Sequence, residues 1–360
     1  MNNKDDKKSP SIPLRVGIVG SGLIATKKHI PSILKIKNKL NLVAICDPNI
    51  EIAKKVAKKN NINKTYSSLN DMLDNEKLDF VDICTPPFTH SEIAIKSIQA
   101  GCNVMIEKPM AITVDECDKI INAAKQFDKK ICVAHSDLFY PPFIKARSLV
   151  SNGEIGDFMG MRIFLSTPTS YMTIKEDHWA NKLPGGVIGE TGPHLVYMTL
   201  AFMNKIKNVK SYALKQLDYK WSPYEDYRID LIGNDNRSSS IVSVYSSNQW
   251  FAQVDVWGTK GLLNIDLETM NLNIHNRKTL NRLDVAKSGL NESINSISNI
   301  FQTGIKSIFG SYKNTHDYLI EGFADSIISD TESPVPAEDG REAVRVMKLI
   351  VENFDKKKVK

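Results

Sequence analysis

The stretch Leu14-Arg15-Val16-Gly17-Ile18-Val19-Gly20-Ser21-Gly22-Leu23-Ile24-Ala25 decides the fold. Its first half is an apolar run with little polar alternation, as expected of a strand covered on both faces. Its second half fits Gly-x-Gly-x-x-Ala, and the residues from Gly22 to Lys37 carry apolar side chains at helical spacing. A strand turning through such a loop into a helix is a dinucleotide-binding unit. Gly20 permits the tight turn, Gly22 lets backbone approach a pyrophosphate, and Ala25 allows close packing of helix on strand. The helix N-terminus, with Leu23 and Ile24, then faces the negative phosphates. A second strand ends in Ile45-Cys46-Asp47, 22 residues beyond Ala25. There a carboxylate accepts hydrogen bonds from ribose hydroxyls and disfavours a 2′-phosphate, so NAD is expected over NADP.

Working outward, short apolar runs alternate with amphipathic stretches from Leu14 to Ala134. Candidate strands are Arg15 to Val19, Leu42 to Cys46, Phe80 to Cys84, Asn103 to Ile106 and Ile131 to Ala134. Gly22 to Lys37, Asn49 to Lys59, His90 to Ala100 and Val114 to Phe127 read as helices. This is the pattern of a doubly wound parallel sheet. Past Pro142 the pattern changes to successive strands at Phe158 to Thr167, Val209 to Gln216, Asp226 to Gly233, Ile241 to Tyr245, Ala252 to Trp257 and Leu262 to Leu267. They predict a large, mostly antiparallel sheet, open on one face. Helices are expected at Gly186 to Asn204, His316 to Ser329 and Glu338 to Phe354. The fold class is therefore α/β, an N-terminal Rossmann sheet with a C-terminal α+β domain. The expected division is a flexible tail at 1–13, a Rossmann domain at 14–138, a substrate-binding and oligomerisation domain at 139–335, and a C-terminal helix with a basic tail at 336–360, packing back on the Rossmann domain.

Composition limits the function classes. With 42% hydrophobic and 24% charged residues the chain is globular, and 360 residues suit two cores better than one. The net charge of +6 comes partly from lysine clusters at the ends, among them Lys4, Lys7, Lys8 and Lys356 to Lys358, without a nucleic-acid-binding signature. The five cysteines (Cys46, Cys84, Cys102, Cys117, Cys132) never fall in a Cys-x-x-Cys spacing, which argues against disulfides and structural zinc. No metal is expected. The polar first dozen residues resemble neither a signal peptide nor a membrane span, and the cytoplasm is the default location. From Ile294 to Phe309 runs an apolar stripe backed by Ser and Asn, a helix face that needs a partner, favoured as this protein's own sheet or a sister subunit over a membrane surface.

Thr85-Pro86-Pro87-Phe88-Thr89-His90, followed by Ala100-Gly101-Cys102-Asn103-Val104-Met105-Ile106-Glu107-Lys108-Pro109, closely resembles the glucose-fructose oxidoreductase, inositol dehydrogenase and rhizopine-catabolism (Gfo/Idh/MocA) family. Gly153-Glu154-Ile155-Gly156, Gly185-Gly186-Val187, Gly192-Pro193-His194 and Pro336-Ala337-Glu338-Asp339-Gly340 extend the resemblance over most of the chain. It implies that Thr85, Pro86, Pro87 and His90 line the cofactor near the nicotinamide, together with Glu107 and Lys108. Lys108 follows a strand end, where its ammonium would stabilise negative charge on a reacting oxygen and bond the cofactor ribose. The resemblance makes His194 the general base, since imidazole titrates near neutrality. Glu190, four positions earlier where the family commonly has Asp, is expected to assist it. His135, Trp179, Glu190, His194 and Lys108 are the candidate substrate contacts. Trp179 either stacks on a sugar face or plugs the domain junction. Ser136, Leu138 and Tyr197 depart from the family pattern.

The resemblance implies an NAD(P)-dependent dehydrogenase acting on CH–OH groups of a sugar, cyclitol or nucleotide-sugar. The alternatives are a retained-NAD enzyme performing epimerisation, elimination or glycoside cleavage, and a non-catalytic NAD- and sugar-binding regulator. The open sheet face and the Ile294 to Phe309 stripe predict a homo-oligomer, dimer or tetramer.

Overall fold

A computed structural model describes residues 13–169, 176–203, 205–277, 279–308 and 313–356. Most of the terminal lysines, at 1–12 and 357–360, lie outside the described residues, as does Phe309. Contacts divide the chain into two compact units, Met1–Ser136 with Asn314–Val344, and Asp137–Lys313 with Arg345–Lys360.

The first unit holds β1 (Leu14–Val19), β2 (Leu40–Cys46), β3 (Lys64–Tyr66), β4 (Phe80–Ile83), β5 (Asn103–Ile106) and β6 (Ile131–Val133). They pair in parallel in the order β3-β2-β1-β4-β5-β6. The order reverses between β1 and β4, and their carboxyl ends form the crevice where sheets of this kind bind ligands. Strands β1, β4, β5 and β6 are nearly all buried, as their mainly apolar runs require. Its helices are α1 (Ile30–Lys35), α2 (Ile50–Asn60), α3 (Leu69–Asn75), α4 (His90–Gln99) and α5 (Val114–Phe127). Asn49 caps α2, and a Thr113/Glu116 capping box starts α5. The edge strand β3 and the short α3 were not foreseen.

One expected helix is broken. Gly22 to Lys37 reads as a single amphipathic helix, but Ala25–His29 forms a wider π turn that leads into α1. Pro31, near the start of α1, has no main-chain N–H to donate to the preceding turn. The Ile30 N–H reaches back to the Ala25 carbonyl, and His29 is buried in the unit.

In the second unit α6 (Pro141–Ser151) precedes β7 (Phe158–Ser166), then α7 (Ile188–Leu200) and β8 (Ile206–Leu214) to β13 through Asp226–Gly233, Ser238–Val244, Phe251–Gly258, Leu262–Asp266 and Asn271–His275. The sheet order is β13-β12-β11-β7-β10-β9-β8, and only β7 with β10 is parallel. The mostly antiparallel expectation holds, with β13 an addition. One face is apolar, with Met161, Ile163, Val254, Val256, Leu263 and Ile265 buried. The alternate positions carry Arg162, Phe164, Asp255 and Asn264, so this face differs in character from the core side. The apolar stripe lies within α8 (Arg282–Ile308), where Leu283, Leu290, Ile294 and Ile297 are exposed.

The assignment of residues up to 335 to the substrate domain needs correction. Helix α9 (Thr315–Ile328) packs in the first unit. Asp317 accepts hydrogen bonds from Ser32 Oγ at 2.5 Å and Lys35 Nζ at 2.7 Å, and Phe323 meets Phe80 edge to face. An ion pair and aromatic burial against α1 and β4 outweigh proximity in sequence. The last helix, α10 (Ala337–Lys356), is shared: through Val344 it belongs to the first unit, where Arg341 clamps Asp118, and beyond it to the second.

Candidate functional site

In the first unit, Gly20 ends β1 with φ +100°, and a Cβ there would lie 2.7 Å from the Cys84 carbonyl oxygen. The glycine-rich loop therefore rests directly on the loop that follows β4. At Gly22 a Cβ would meet nothing within 4 Å, and Leu23 is 67% exposed. Ser21 Oγ is buried without a hydrogen-bond partner. An unsatisfied hydroxyl, open space at the second glycine and a helical turn directly behind fit an incoming pyrophosphate. Ile24 is half-buried at the start of that turn. Asp47 is half-buried at the end of β2, its carboxylate accepting the Ser21 and Asn49 N–H groups at 2.8 and 2.9 Å. It thus braces the loop as well as standing where an adenosine ribose is expected.

Thr85 is partly exposed, Pro86 exposed and Pro87 buried, and a turn of 3-10 helix leads from Pro87 into α4. His90, expected to line the cofactor, is instead fully buried. Its Nε2 lies 2.8 Å from the Thr85 carbonyl and its Nδ1 2.9 Å from that of Pro109. A neutral ring donates to only one of these at a time. Burial pulls its pKa below the usual histidine value, against the pull of the two carbonyls. His90 therefore ties the Thr85 loop to the Lys108 loop.

Glu107, also expected at the cofactor, is turned inward. Its Oε1 is 2.8 Å from His29 Nε2, and its Oε2 accepts the Lys108 N–H at 3.0 Å. The opposite side of His29 meets Asp82, Nδ1 to Oδ2 at 2.8 Å. Lys108 itself is partly exposed just past the end of β5. His135, a candidate substrate contact, is 2% exposed, because it follows β6 into the interior of the first unit.

In the second unit the candidate catalytic residues Glu190 and His194 lie on α7. Nearly every residue of this helix is buried, and only Glu190, His194 and Leu200 keep partial exposure. Two polar side chains one turn apart thus share one face of an otherwise apolar helix. His194 Nδ1 lies 2.6 Å from Asp137 Oδ2 and 2.6 Å from the Tyr197 hydroxyl. The Tyr197 oxygen accepts the Asp137 N–H at 3.2 Å, and its hydroxyl also bonds the Asp137 carboxylate. Burial first, and then the Asp137 charge, hold the Tyr197 pKa well above the usual phenol value, so it stays a donor. With Nδ1–H given to Asp137, the remaining ring nitrogen, Nε2, is the acceptor. His194, Asp137, Glu190, Tyr140, Trp250 and Glu268 are among the residues lining a cavity of about 260 Å³.

Glu190 was expected to assist His194. The carboxylate on the ring is Asp137, because Asp137 stands at the start of the second unit in a 3-10 turn, within reach of α7. Its signal in the sequence was an acidic residue just past the last parallel strand. Tyr197, read only as a departure, is the second missed partner. Trp179 is half-buried in the 3-10 turn Trp179–Lys182 and stacks on His178 at 5.6 Å.

All five cysteines are free and buried, and burial pushes the Cys84, Cys117 and Cys132 thiols up to about 12. They behave as small apolar residues rather than nucleophiles.

Comparison with known proteins places these features. Residues 14–135 match the model of an oxidoreductase family with an NAD-binding Rossmann fold, and residues 143–264 match the GFO/IDH/MocA C-terminal domain. Oxidoreductase P35 of Formosa agariphila is 26% identical over 206 residues, 56% of this chain and 64% of that protein. D-glucoside 3-dehydrogenase of Escherichia coli is 28% identical over 214 residues, 58% of this chain and 59% of that protein. The chain therefore spans less than two thirds of the length of these relatives. The WlbA dehydrogenase of Bordetella pertussis, solved with NADH and UDP-GlcNAcA, superposes with a TM-score of 0.79 at 18% identity, covering 96% of this chain and 97% of that one.

Proposed function

From the premise that the chain belongs to the Gfo/Idh/MocA oxidoreductase family, we propose that it is an NAD-dependent dehydrogenase acting on a hydroxyl-bearing carbon of a sugar, cyclitol or nucleotide-sugar. The observation that carries this reading is His194, its Nδ1 held by Asp137 at 2.6 Å and its ring on the wall of a cavity. Nε2 of that tautomer accepts the proton of a substrate hydroxyl. As the proton arrives the ring becomes cationic, and the Asp137 carboxylate, itself bonded by Tyr197, stabilises that charge. Glu190 lines the same cavity and suits hydrogen bonding to a neighbouring hydroxyl. Lys108 supplies a cation for the charge that develops on the oxidised oxygen. Bound NAD supplies the hydride acceptor. Gly20, Ser21, Gly22 and Leu23 would hold its pyrophosphate and Asp47 its adenosine ribose, which supports NAD over NADP.

Nucleotide-sugars are favoured within the substrate class because the WlbA dehydrogenase, which shares the fold, was solved with one. Among the described residues no helix is long and apolar enough to cross a membrane. Five buried free thiols support a cytoplasmic setting. The exposed Phe164 and Phe251, 5.5 Å apart on the sheet, and the apolar side chains of α8 support a homo-oligomer. Light scattering at micromolar protein is expected to give a multiple of the chain mass, and a monomer removes the assignment.

The experiment for the reaction is turnover across a panel of free sugars, cyclitols and nucleotide-sugars, with NADH and NADPH titrated by fluorescence. Lys108→Ala and His194→Ala are each expected to lower kcat by about 100-fold or more, the scale of a lost acid–base or charge-stabilising group. NADH is expected to bind more tightly than NADPH. Full turnover in either variant overturns the assignment.

A further inference from the structure

We infer that the buried set His29, Asp82, Glu107 and His316 is a positioning device that holds the Lys108 backbone, and with it the Lys108 ammonium, in its working place. The inference rests on the reading of Lys108 as a cofactor and substrate contact and adds the residues that act through it.

The four side chains are all buried in the first unit. His29 ends the π turn, with Asp82 on β4 at 2.8 Å from Nδ1 and Glu107 past β5 at 2.8 Å from Nε2. A ring with a carboxylate on each nitrogen satisfies both only as the imidazolium. Burial opposes that charge, but Asp82 and Cys84 outweigh it and raise the His29 pKa well above the usual value. Burial likewise opposes a charged Glu107, yet the bond from His29 and the nearby His316 hold it well below the usual carboxylate range. Glu107 is therefore a fixed anion, and its second oxygen takes the N–H of Lys108.

Oxygen and nitrogen atoms at 2.8 Å are spaced as hydrogen bonds, shorter than ligand atoms around a single zinc ion would stand. The set therefore acts as a bonded network. It connects the π turn Ala25–His29 behind the glycine-rich loop, β4 and the Lys108 loop. His316 brings α9 to the same point, its Nε2 3.8 Å from Glu107.

A double-mutant cycle on the full chain tests this, with NADH as the probe and its Kd read by fluorescence. Glu107→Gln and His29→Gln are each expected to weaken NADH binding by about 5- to 10-fold in the wild-type background, the size of one misplaced charge-assisted bond. In the Lys108→Ala background each is expected to change Kd less than about twofold. Equal fold-changes in both backgrounds mean a general structural role and overturn the inference. If Lys108→Ala alone leaves Kd unchanged, the reading of Lys108 fails, and the positioning role with it. Should both substitutions abolish the cooperative melt, amide hydrogen exchange on the unaltered protein decides. The Lys108 amide is expected to exchange as slowly as the strand core, and exchange at the rate of an open loop refutes the network.

Discussion

Replacing Gly20 and Gly22 one at a time with alanine separates what the glycine-rich loop does for the fold from what it does for a ligand. At Gly20 the backbone sits at φ +100°, and a methyl group would lie 2.7 and 2.8 Å from the Cys84 carbonyl oxygen and carbon. The left-handed conformation costs an alanine roughly 1–2 kcal/mol, and overlap with immobile backbone costs about 1–3 kcal/mol more. Against a typical stability of about 5–15 kcal/mol, a loss of roughly 2–5 kcal/mol lowers the melting temperature by about 5–15 °C at the sensitivity of a unit this size. Gly22 lies outside the left-handed region, with nothing within 4 Å of its Cβ position. Gly22→Ala is therefore expected to leave the melt unchanged or raise it slightly through a stiffer unfolded chain. The same methyl would stand where a pyrophosphate approaches, and NADH binding is expected to weaken by at least about 10-fold. Circular dichroism melts and NADH fluorescence titrations read the two effects independently. Gly22→Ala binding NADH like the wild type refutes the placement of the pyrophosphate, and Gly20→Ala melting like the wild type refutes the strain argument.

Three further outcomes are expected. Asp137→Asn removes a charge-assisted bond to His194 at 2.6 Å and is expected to lower kcat by about 10- to 100-fold, the equivalent of about 1.5–3 kcal/mol. Glu190→Gln is expected to act mainly on KM, and a larger kcat loss in Glu190→Gln than in Asp137→Asn would return the orienting role to Glu190. Stability is expected to fall on the acid side, because burial lowers the pKa values of His90 and His316 in the folded chain. Below about pH 6.5 the unfolded chain takes up protons that these rings refuse, so stability drops as pH falls. The raised His29 acts in the opposite sense, its contribution being lost only as pH climbs through its folded value. Melting temperatures from pH 5 to 9 check this, and His316→Gln should flatten the acid limb. An unchanged acid limb refutes the assignment.

The first unit was largely legible because its strands are covered on both faces and read as unbroken apolar runs; β5 and α5 fall on their expected bounds. What periodicity missed was short or polar: β3 has three residues, and β13 alternates Asn and His with its apolar positions. The division of the chain was misread at α9, whose amphipathic face names no partner until Asp317 meets Ser32 and Lys35.

The site divides along the same line. Lys108 and His194 stand in local motifs, where a few neighbouring residues announce the chemistry. Their supports do not. Asp137 lies 57 residues from His194, and His29 lies 78 residues from Glu107. No spacing rule connects positions so far apart; helical geometry offered His194 only its near neighbours, Glu190 at i−4 and Tyr197 at i+3, of which Tyr197 does reach Nδ1. In the fold Glu190 stands beside His194 on the cavity wall, while the ring nitrogen goes to Asp137. The carboxylate that orients the proposed base is therefore Asp137 and not Glu190. An acidic side chain on the wall of this cavity suits ligands rich in hydroxyl donors, and the Glu190→Gln variant tests whether it sets the proposed substrate preference.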